Sequence, residues 1–387
     1  MAIFVGPSSG VQTSAFYAGG TGAYVAVGST TTTGQAAGIN TLKGAVVYNE
    51  STGELQYYTG DLPNDGWIGI SSASTVTSSG GTKDTSSRTG YILHTFTTPG
   101  NLEVGYPSPL PNCEYVIIGG GGAGGDYYGP NPGYNSAGGG GGAGGMKSGT
   151  ITLTPSTFAV TVGEGGQSSV TSISDPTDNW GVPGTPSTVA FPTGTLTAWG
   201  GGHGAMGNSD GIPTAQAAEG NCSPGGSGGG GARDGSMQTG GEGNMQTGTT
   251  TAAPGQGNDG SPYASPDGHG AGGGGAGSTA NPWMEGGDGS STSITGSSVS
   301  HAGGGGGGAG NNPSDPAPGG PGGGGAGGND PGLPAPARAG GNASSTSPGA
   351  NYGAGGGGAG RGTNTPAPMS PGGNGNPGVV IIAIKEP

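Results

Sequence analysis

The sequence predicts an all-β protein in two parts: a small N-terminal β unit, then a glycine-rich β-sandwich-like domain with polyglycine II segments, closed by a C-terminal strand. Three observations carry this expectation. Short β-prone stretches separated by Gly, Pro, Asn and Ser turns are the only regular pattern before residue 200. At 113–125, CEYVIIGGGGAGG runs an apolar strand into glycine without a turn residue. Both halves of that stretch recur, the strand as GVVIIAI at 378–384 and the run as GGGGAG at 139–144, 272–277, 305–310, 322–327 and 355–360. A strand that opens a unit, another that ends it and repeats between them read as one closed unit.

Composition sets the physical problem. The chain holds 102 Gly and 32 Pro among 387 residues without a strict G-X-Y period, which excludes collagen and by itself predicts a low-complexity chain. Fixing one residue's backbone costs about 1–2 kcal/mol, and glycine loses the most freedom. An ordered structure therefore needs something other than side-chain burial. The formal charge of −14, with only eight scattered basic residues, argues against a nucleic-acid surface and fits an outward-facing, soluble protein. Cys113 and Cys222 are too few for a disulfide scaffold and lack C-x-x-C spacing, so Cys113, inside a strand pattern, reads as a buried free thiol. The opening MAIFVGPSSG has neither a basic region nor an apolar stretch of signal length, and no segment approaches the ~20 apolar residues of a membrane span.

In order, residues 1–75 form the N-terminal β unit. Tyr24–Val27 is a short β-prone piece; then Val46–Tyr48, a turn through Asn49–Gly53, Leu55–Tyr58 and Trp67–Ile70 read as a small antiparallel sheet packed by Tyr48, Tyr57 and Trp67. Residues 76–89 continue a polar Ser/Thr stretch read as a linker. The glycine-rich domain, 90–387, opens with YILHTFTTPGNLEV, whose Ile92, His94 and Phe96 share a face, and a Pro-Gly turn leads into Leu102–Val104. His94 reads as a satisfied sheet residue. Cys113–Ile118 is apolar on both faces and should be covered on both. Ile151–Thr154 and Phe158–Val162 are two more strands joined at 155–157, and Val189–Phe191 with Leu196–Trp199 make a further pair.

From 200 to 378 only Ile212, Ile294, Val299 and Leu333 represent Val, Ile, Leu and Phe, so no ordinary core can form there. Polyproline-II-type geometry offers a solution: it is extended, has three residues per turn and points every N–H and C=O outward. Those groups can pair with neighbouring runs, and a GGGGAG run would span ~19 Å at ~3.1 Å per residue. The runs would then continue the sheet as a glycine fabric, with residues 379–384 as the closing strand.

Motifs of catalysis fail on context. After the glycines at 119–125 comes DYYGPNPGYN, where Pro130 and Pro132 forbid the helix that a dinucleotide fingerprint requires. GGGAGGMKS at 140–148 places Met146 between the last glycine and Lys147 and has no strand–loop–helix setting, so it is not a P-loop. The histidines at 94, 203, 269 and 301 lack metal-ligand spacing, and no G-x-S-x-G elbow occurs. No catalytic, cofactor-binding or metal-binding residue is expected, and the chain reads as a non-enzyme.

Two resemblances follow. The cassette VVYNESTGELQYYTG…GW resembles short β units of virion proteins of tailed phages. The succession YILHTFTTPGNLEV, CEYVIIGGGGAGG, GTITLTPSTFAVTVGEGG, LTAWGGGHG and GNGNPGVVIIAI resembles, over about 90–387, the glycine-rich domain of phage tail-fibre and related virion proteins. The resemblance implies a structural, non-enzymatic virion protein, assembled in the host cytoplasm. It would be a tail fibre or tail-associated appendage that joins other tail or capsid proteins through residues 1–85. A capsid-attached fibre or decoration protein is the near alternative, and a secreted glycine-rich surface or matrix protein the distant one. It also implies a homo-oligomer, with a trimer expected because fibrous virion proteins commonly trimerise. Some glycine-rich phage adhesins carry receptor-contacting loops at one end of polyglycine II helices. Separately from the resemblance, polar loops between the glycine runs each carry an isolated aromatic or histidine with no core nearby. Tyr263 and His269 in SPYASPDGHG, Trp283 and Met284 in NPWMEGG, and Tyr352 in GANYGAG are the candidates for contact with a host glycan or outer-membrane protein, the alternative being that each ring lies over glycine backbone or an oligomer neighbour.

Overall fold

The computed structural model describes residues 29–30, 46–49, 54–58, 67–69, 76–105, 109–128, 136–168, 181–208, 225–232, 240–247, 252, 255–262, 268–281, 284–310, 317–329, 339–343, 351–361 and 370–386. Every regular element among them is a strand, and the chain divides into two compact units, Met1–Thr75 and Val76–Pro387. In the first unit β1 (Ser29–Thr30), β2 (Val46–Asn49), β3 (Glu54–Tyr58) and β4 (Trp67–Gly69) form a sheet in that order. β2 and β3 are antiparallel, with Val46 opposite Tyr57 and Tyr48 opposite Leu55, and β4 adds on the other side of β3. The packing expected of Tyr48, Tyr57 and Trp67, and the piece at Tyr24–Val27, lie outside what is described.

The second unit contains β5 (Thr77–Ser79), β6 (Thr82–Asp84), β7 (Tyr91–Phe96), β8 (Gly100–Gly105), β9 (Leu110–Ile118), β10 (Tyr127–Tyr128), β11 (Met146–Leu153), β12 (Ser156–Thr161), β13 (Ser187–Phe191), β14 (Gly194–Ala198), β15 (Gly207–Asn208), β16 (Ser290–Thr292), β17 (Val299–His301) and β18 (Val379–Lys385). Two five-stranded sheets, ordered β11-β9-β18-β7-β6 and β14-β13-β12-β8-β5, face each other as a sandwich. Ile92, Phe96, Cys113, Ile117, Val380, Ile382 and Ile384 meet Leu102, Val104, Phe158, Val160, Val189 and Phe191 between them. The Phe158 and Phe191 rings lie 5.7 Å apart, within the range of favourable aromatic pairs. Burial pushes the Cys113 thiol pKa up, which fits a free, unreactive thiol.

The first sheet is covered on its other face too, as the apolar pattern of β9 requires. Leu93, Val116, Ile118, Val379, Ile381 and Ala383 form a second core there with Ala143, Ile294 and Ala302. Ile294 sits in the turn of the β16–β17 hairpin. Arg88 pins that turn: its guanidinium pairs with Glu114 at 2.8 Å, lies 3.7 Å over the Tyr91 ring and donates to the Ile294 carbonyl. One of the few apolar residues of the glycine-rich stretch is thus used as a plug.

One local expectation needs correction. Part of the stretch read as a linker, 76–89, is a strand pair: β5 bonds to β8 and β6 to β7, around a turn at Gly80 and Gly81 with φ of +115° and +56°. The pattern is hidden because the inward residue is itself polar. Ser78 hydrogen-bonds the buried ring of His94, whose other nitrogen is 2.7 Å from the Gly80 carbonyl. The two strands joined at 155–157 belong to different sheets, since β11 pairs with β9 while β12 pairs with β8 and β13. Pro155 has no N–H for the ladder, and the chain crosses there from one sheet to the other.

Glycine runs continue the strands. Run 119–125 leaves β9 and hydrogen-bonds in a repeat of three. Gly119, Gly122 and Gly125 donate to Gly145, Gly142 and Gly139; Gly120 and Ala123 to Thr185 and Val182; Gly121 and Gly124 to Asn376 and Gly373. These bonds span 2.7 to 3.1 Å, ordinary amide geometry. Threefold periodicity with every N–H pointing outward marks polyglycine II. The run 138–145 stands at the centre. It donates to runs 353–359, 199–205 and 271–274 and accepts from 305–308, 119–125 and 227–230, so six neighbours surround it. A Cβ at Gly141 would overlap the carbonyl oxygens of Gly122 and Ala123, which is why only glycine fits there.

Candidate functional site

Hydrogen-bond register fixes the direction of each run, and direction decides at which end of the lattice each described run starts and stops. Run 119–125 leads away from the sandwich, and 138–145 returns antiparallel to it toward β11. Runs 225–232 and 303–310 are antiparallel to 138–145 and lead outward, as Gly230 bonding to Gly140 and Ser227 to Ala143 show for the first. Run 268–275 is parallel to 138–145, through Gly140 to Ala271 and Ala143 to Gly274, and returns inward. The same reading applied throughout places the described residues flanking 129–135, 169–180, 233–239, 263–267, 282–283, 311–316, 330–338 and 362–369 toward the end of the lattice remote from the sandwich. Chain alternation of out and back therefore brings these described run ends to one end of the lattice. The sandwich end receives the strands.

That remote end is tied by a few polar side chains set at the ends of runs. Asp126 follows run 119–125, is fully buried, and its Oδ1 accepts from the Gly372 N–H at 2.6 Å and the Ser168 hydroxyl at 2.9 Å. One carboxylate thus joins three runs. Its Oδ2 has no partner, and burial raises the pKa to about 6 against the two hydrogen bonds that lower it. Sequence reading passed over Asp126; the only signal was a charged residue directly after a glycine run. His269 accepts the Gly310 N–H on Nδ1 at 2.8 Å, joining the ends of two more runs. With Nδ1 accepting, the neutral ring carries its proton on Nε2. Ser261 donates to the Ala280 carbonyl at 3.2 Å.

The five residues singled out from sequence do not form one cluster. His269 is buried, 8% exposed, within the remote end. Met284 is half-buried, and its carbonyl accepts the Gly307 N–H at 2.7 Å. Tyr352 stands at the sandwich end, where its ring packs 5.8 Å from that of His301 and against the second core. His301 is buried with an unpartnered Nδ1, and burial lowers its pKa to about 4. Tyr263 and Trp283 lie outside the described residues. Their flanking residues, Pro262 with Gly268 and Asn281 with Met284, belong to the lattice toward its remote end.

The N–H groups of 119–125 are all spent on carbonyls of other runs, so none is available to cradle a phosphate. Gly140–Gly145, the near P-loop, are the central run itself. Among the described residues no group of three or more His, Cys, Asp or Glu could hold a metal ion. A shallow open cleft of about 420 Å³ lies over Thr77, Ser79, Glu103 and Thr157 on the second sheet, with Ser79 donating to Glu103 at 2.9 Å.

A protein-family model described as a glycine-rich domain matches residues 96–385, from the end of β7 to the end of β18. No curated protein matches the chain.

Proposed function

The chain belongs to the glycine-rich domain family, and from that premise we propose that it is a non-enzymatic structural protein of a phage virion, a tail fibre or tail-associated appendage. Residues 1–85 attach it to other virion proteins of the tail or capsid. The remote end of the glycine lattice faces outward toward a host glycan or outer-membrane protein. The observation that supports this reading is that the described ends of many runs come together at one end of a lattice whose backbone bonds hold them in place. Recognition segments benefit from rigid anchors, because less freedom is lost on contact. His269 and Asp126 serve as anchors beneath that surface, and Tyr263 and Trp283 as contact residues. Their rings offer contact area at low entropy cost.

Oligomerisation belongs to the same proposal. A homo-oligomer, with a trimer expected, is checked by the mass of the intact protein, and a 36.0 kDa species alone at micromolar concentration would overturn it.

The test is the composition of purified particles, read by mass spectrometry and by immunogold labelling of intact virions. Label on the tail supports the proposal, label on the capsid shifts attachment there, and absence from particles overturns it. Adsorption to host cells then checks the outward surface. Tyr263→Ala and Trp283→Ala are expected to reduce adsorption while leaving thermal unfolding within ~0.5 kcal/mol of the parent, the usual range for surface changes.

A further inference from the structure

The first sheet is built from two halves whose backbones do not pair with each other. β6 bonds to β7 and β11 bonds to β9, but the β7 and β9 ladders meet only through β18, with Tyr91 and Arg88 reaching Glu114 by side chain alone. On one side Val380 pairs with Phe96 and Ile384 with Ile92; on the other Val379 pairs with Ile118 and Ala383 with Glu114. Without β18 the two halves would stand about 9.5 Å apart, twice the spacing of bonded strands, with facing edges of unpaired N–H and C=O groups. Residues 379–384 are each at most 2% exposed. Val380, Ile382 and Ile384 fill the core between the sheets, while Val379, Ile381 and Ala383 fill the core against Ala143, Ile294 and Ala302. A single strand therefore completes both cores and both ladders.

The lattice depends on that strand in turn. Run 119–125 hangs from β9, 138–145 enters β11, and 370–378 enters β18, so three runs, the first bonded to each of the other two, are aligned by three adjacent strands of this sheet. Glycine runs carry no side chains to hold a register, and a slip by one turn would satisfy the same backbone groups. The strands set the register.

We propose that the gap between β7 and β9 is an acceptor site for an extended apolar strand, occupied in cis by residues 379–385, and that its occupation locks the glycine lattice. The ligand class is a strand apolar on both faces, since neither face of the gap meets solvent. Until residue 385 is in place the chain holds two half-sheets and unregistered runs.

The test uses the full chain. Ile382→Asp puts a charge into the core between the sheets and is expected to abolish protection of the Gly140 and Gly141 amides against hydrogen exchange. Loss of folding alone would not distinguish an acceptor site from an ordinary core defect, so a second measurement follows. A synthetic peptide of residues 378–387, supplied at 100 times its Kd during refolding of the variant, is expected to displace the defective strand. It should slow exchange at both amides by about 100-fold, the factor that mass action gives at that ratio. The same peptide carrying Ile382→Asp should do nothing. Retained protection in the variant without peptide, or no recovery with the parent peptide, would overturn the proposal.

Discussion

The sandwich and the glycine lattice solve one problem in opposite ways. Both must bury backbone N–H and C=O groups without leaving them unpaired. The sandwich pairs them along two-dimensional ladders and leaves its faces to side chains, so Phe158, Ile117 and Ile382 exclude water between the sheets. The lattice pairs them in three directions around each run and has almost no side chains to bury. Run 138–145 has six neighbours where a strand has two. A side-chain core tolerates substitution according to volume, whereas a backbone core tolerates almost none, because the contact atoms are carbonyl oxygens that cannot repack.

The largest effect expected from this contrast is at Gly141. Gly141→Val should remove the folded lattice, a loss above ~4 kcal/mol, because overpacking and unpaired buried carbonyls act together. Gly307→Val and Gly324→Val, whose added carbons would meet the Gly270 and Gly304 carbonyls, should follow it in thermal unfolding. Gly100→Ala is the control, since its Cβ would find only the Phe96 ring at 3.6 Å. Unfolding unchanged in all three Val variants would mean that the runs behave as solvated linkers.

Next in size is Phe158→Ala. A buried aromatic lost from the sandwich should cost about 3–5 kcal/mol by denaturant unfolding. If Gly140 amide exchange in this variant accelerates in step with sandwich amides, the two regions unfold as one unit.

A smaller effect separates the regions by pH. The Asp126 pKa rises from 3.8 unfolded to about 6 folded, so the folded state holds the proton more tightly and stability falls as pH rises between those values. The span corresponds to about 3 kcal/mol as an order of magnitude. Asp126→Asn should abolish that slope. His301, at the sandwich end, acts in the opposite sense: its pKa drops from 6.5 to about 4, so stability is lost as pH falls through that window. The parent's pH profile between 4 and 6.5 should therefore be flatter than that of either Asp126→Asn or His301→Gln. Equal slopes in all three proteins would contradict the assignment.

The smallest effect expected is at Ala302, which joins β17 to run 303–310 with φ of +59°. Ala302→Gly relieves a left-handed alanine worth about 1–2 kcal/mol but removes a methyl from the second core worth ~0.8 kcal/mol. The melting temperature should move by only a few degrees. A large loss would mean that the methyl, not the turn, holds the hairpin against the sheet.

What the sequence determined by itself was the set of elements and the physics available to them. The apolar runs at Cys113–Ile118 and 379–384 predicted two well-covered strands, and their pairing from Val379↔Ile118 to Ala383↔Glu114 realises a unit closed by its own end. Glycine with almost no apolar residue from 200 to 378 left polyglycine II as the conformation that could order the chain, and the threefold bonding agrees. Strands whose inward residues are polar stayed hidden, as at Thr77–Ser79, because alternation is read from hydrophobicity and Ser78 answers to His94 instead. Which run neighbours which was decided only in three dimensions. GGGGAG at 139–144 and at 355–360 are the same six letters, yet the first lies within the central run and the second within one of its neighbours. Backbone groups are identical at every residue, so a glycine sequence carries no address. The sandwich strands from which the runs depart supply it.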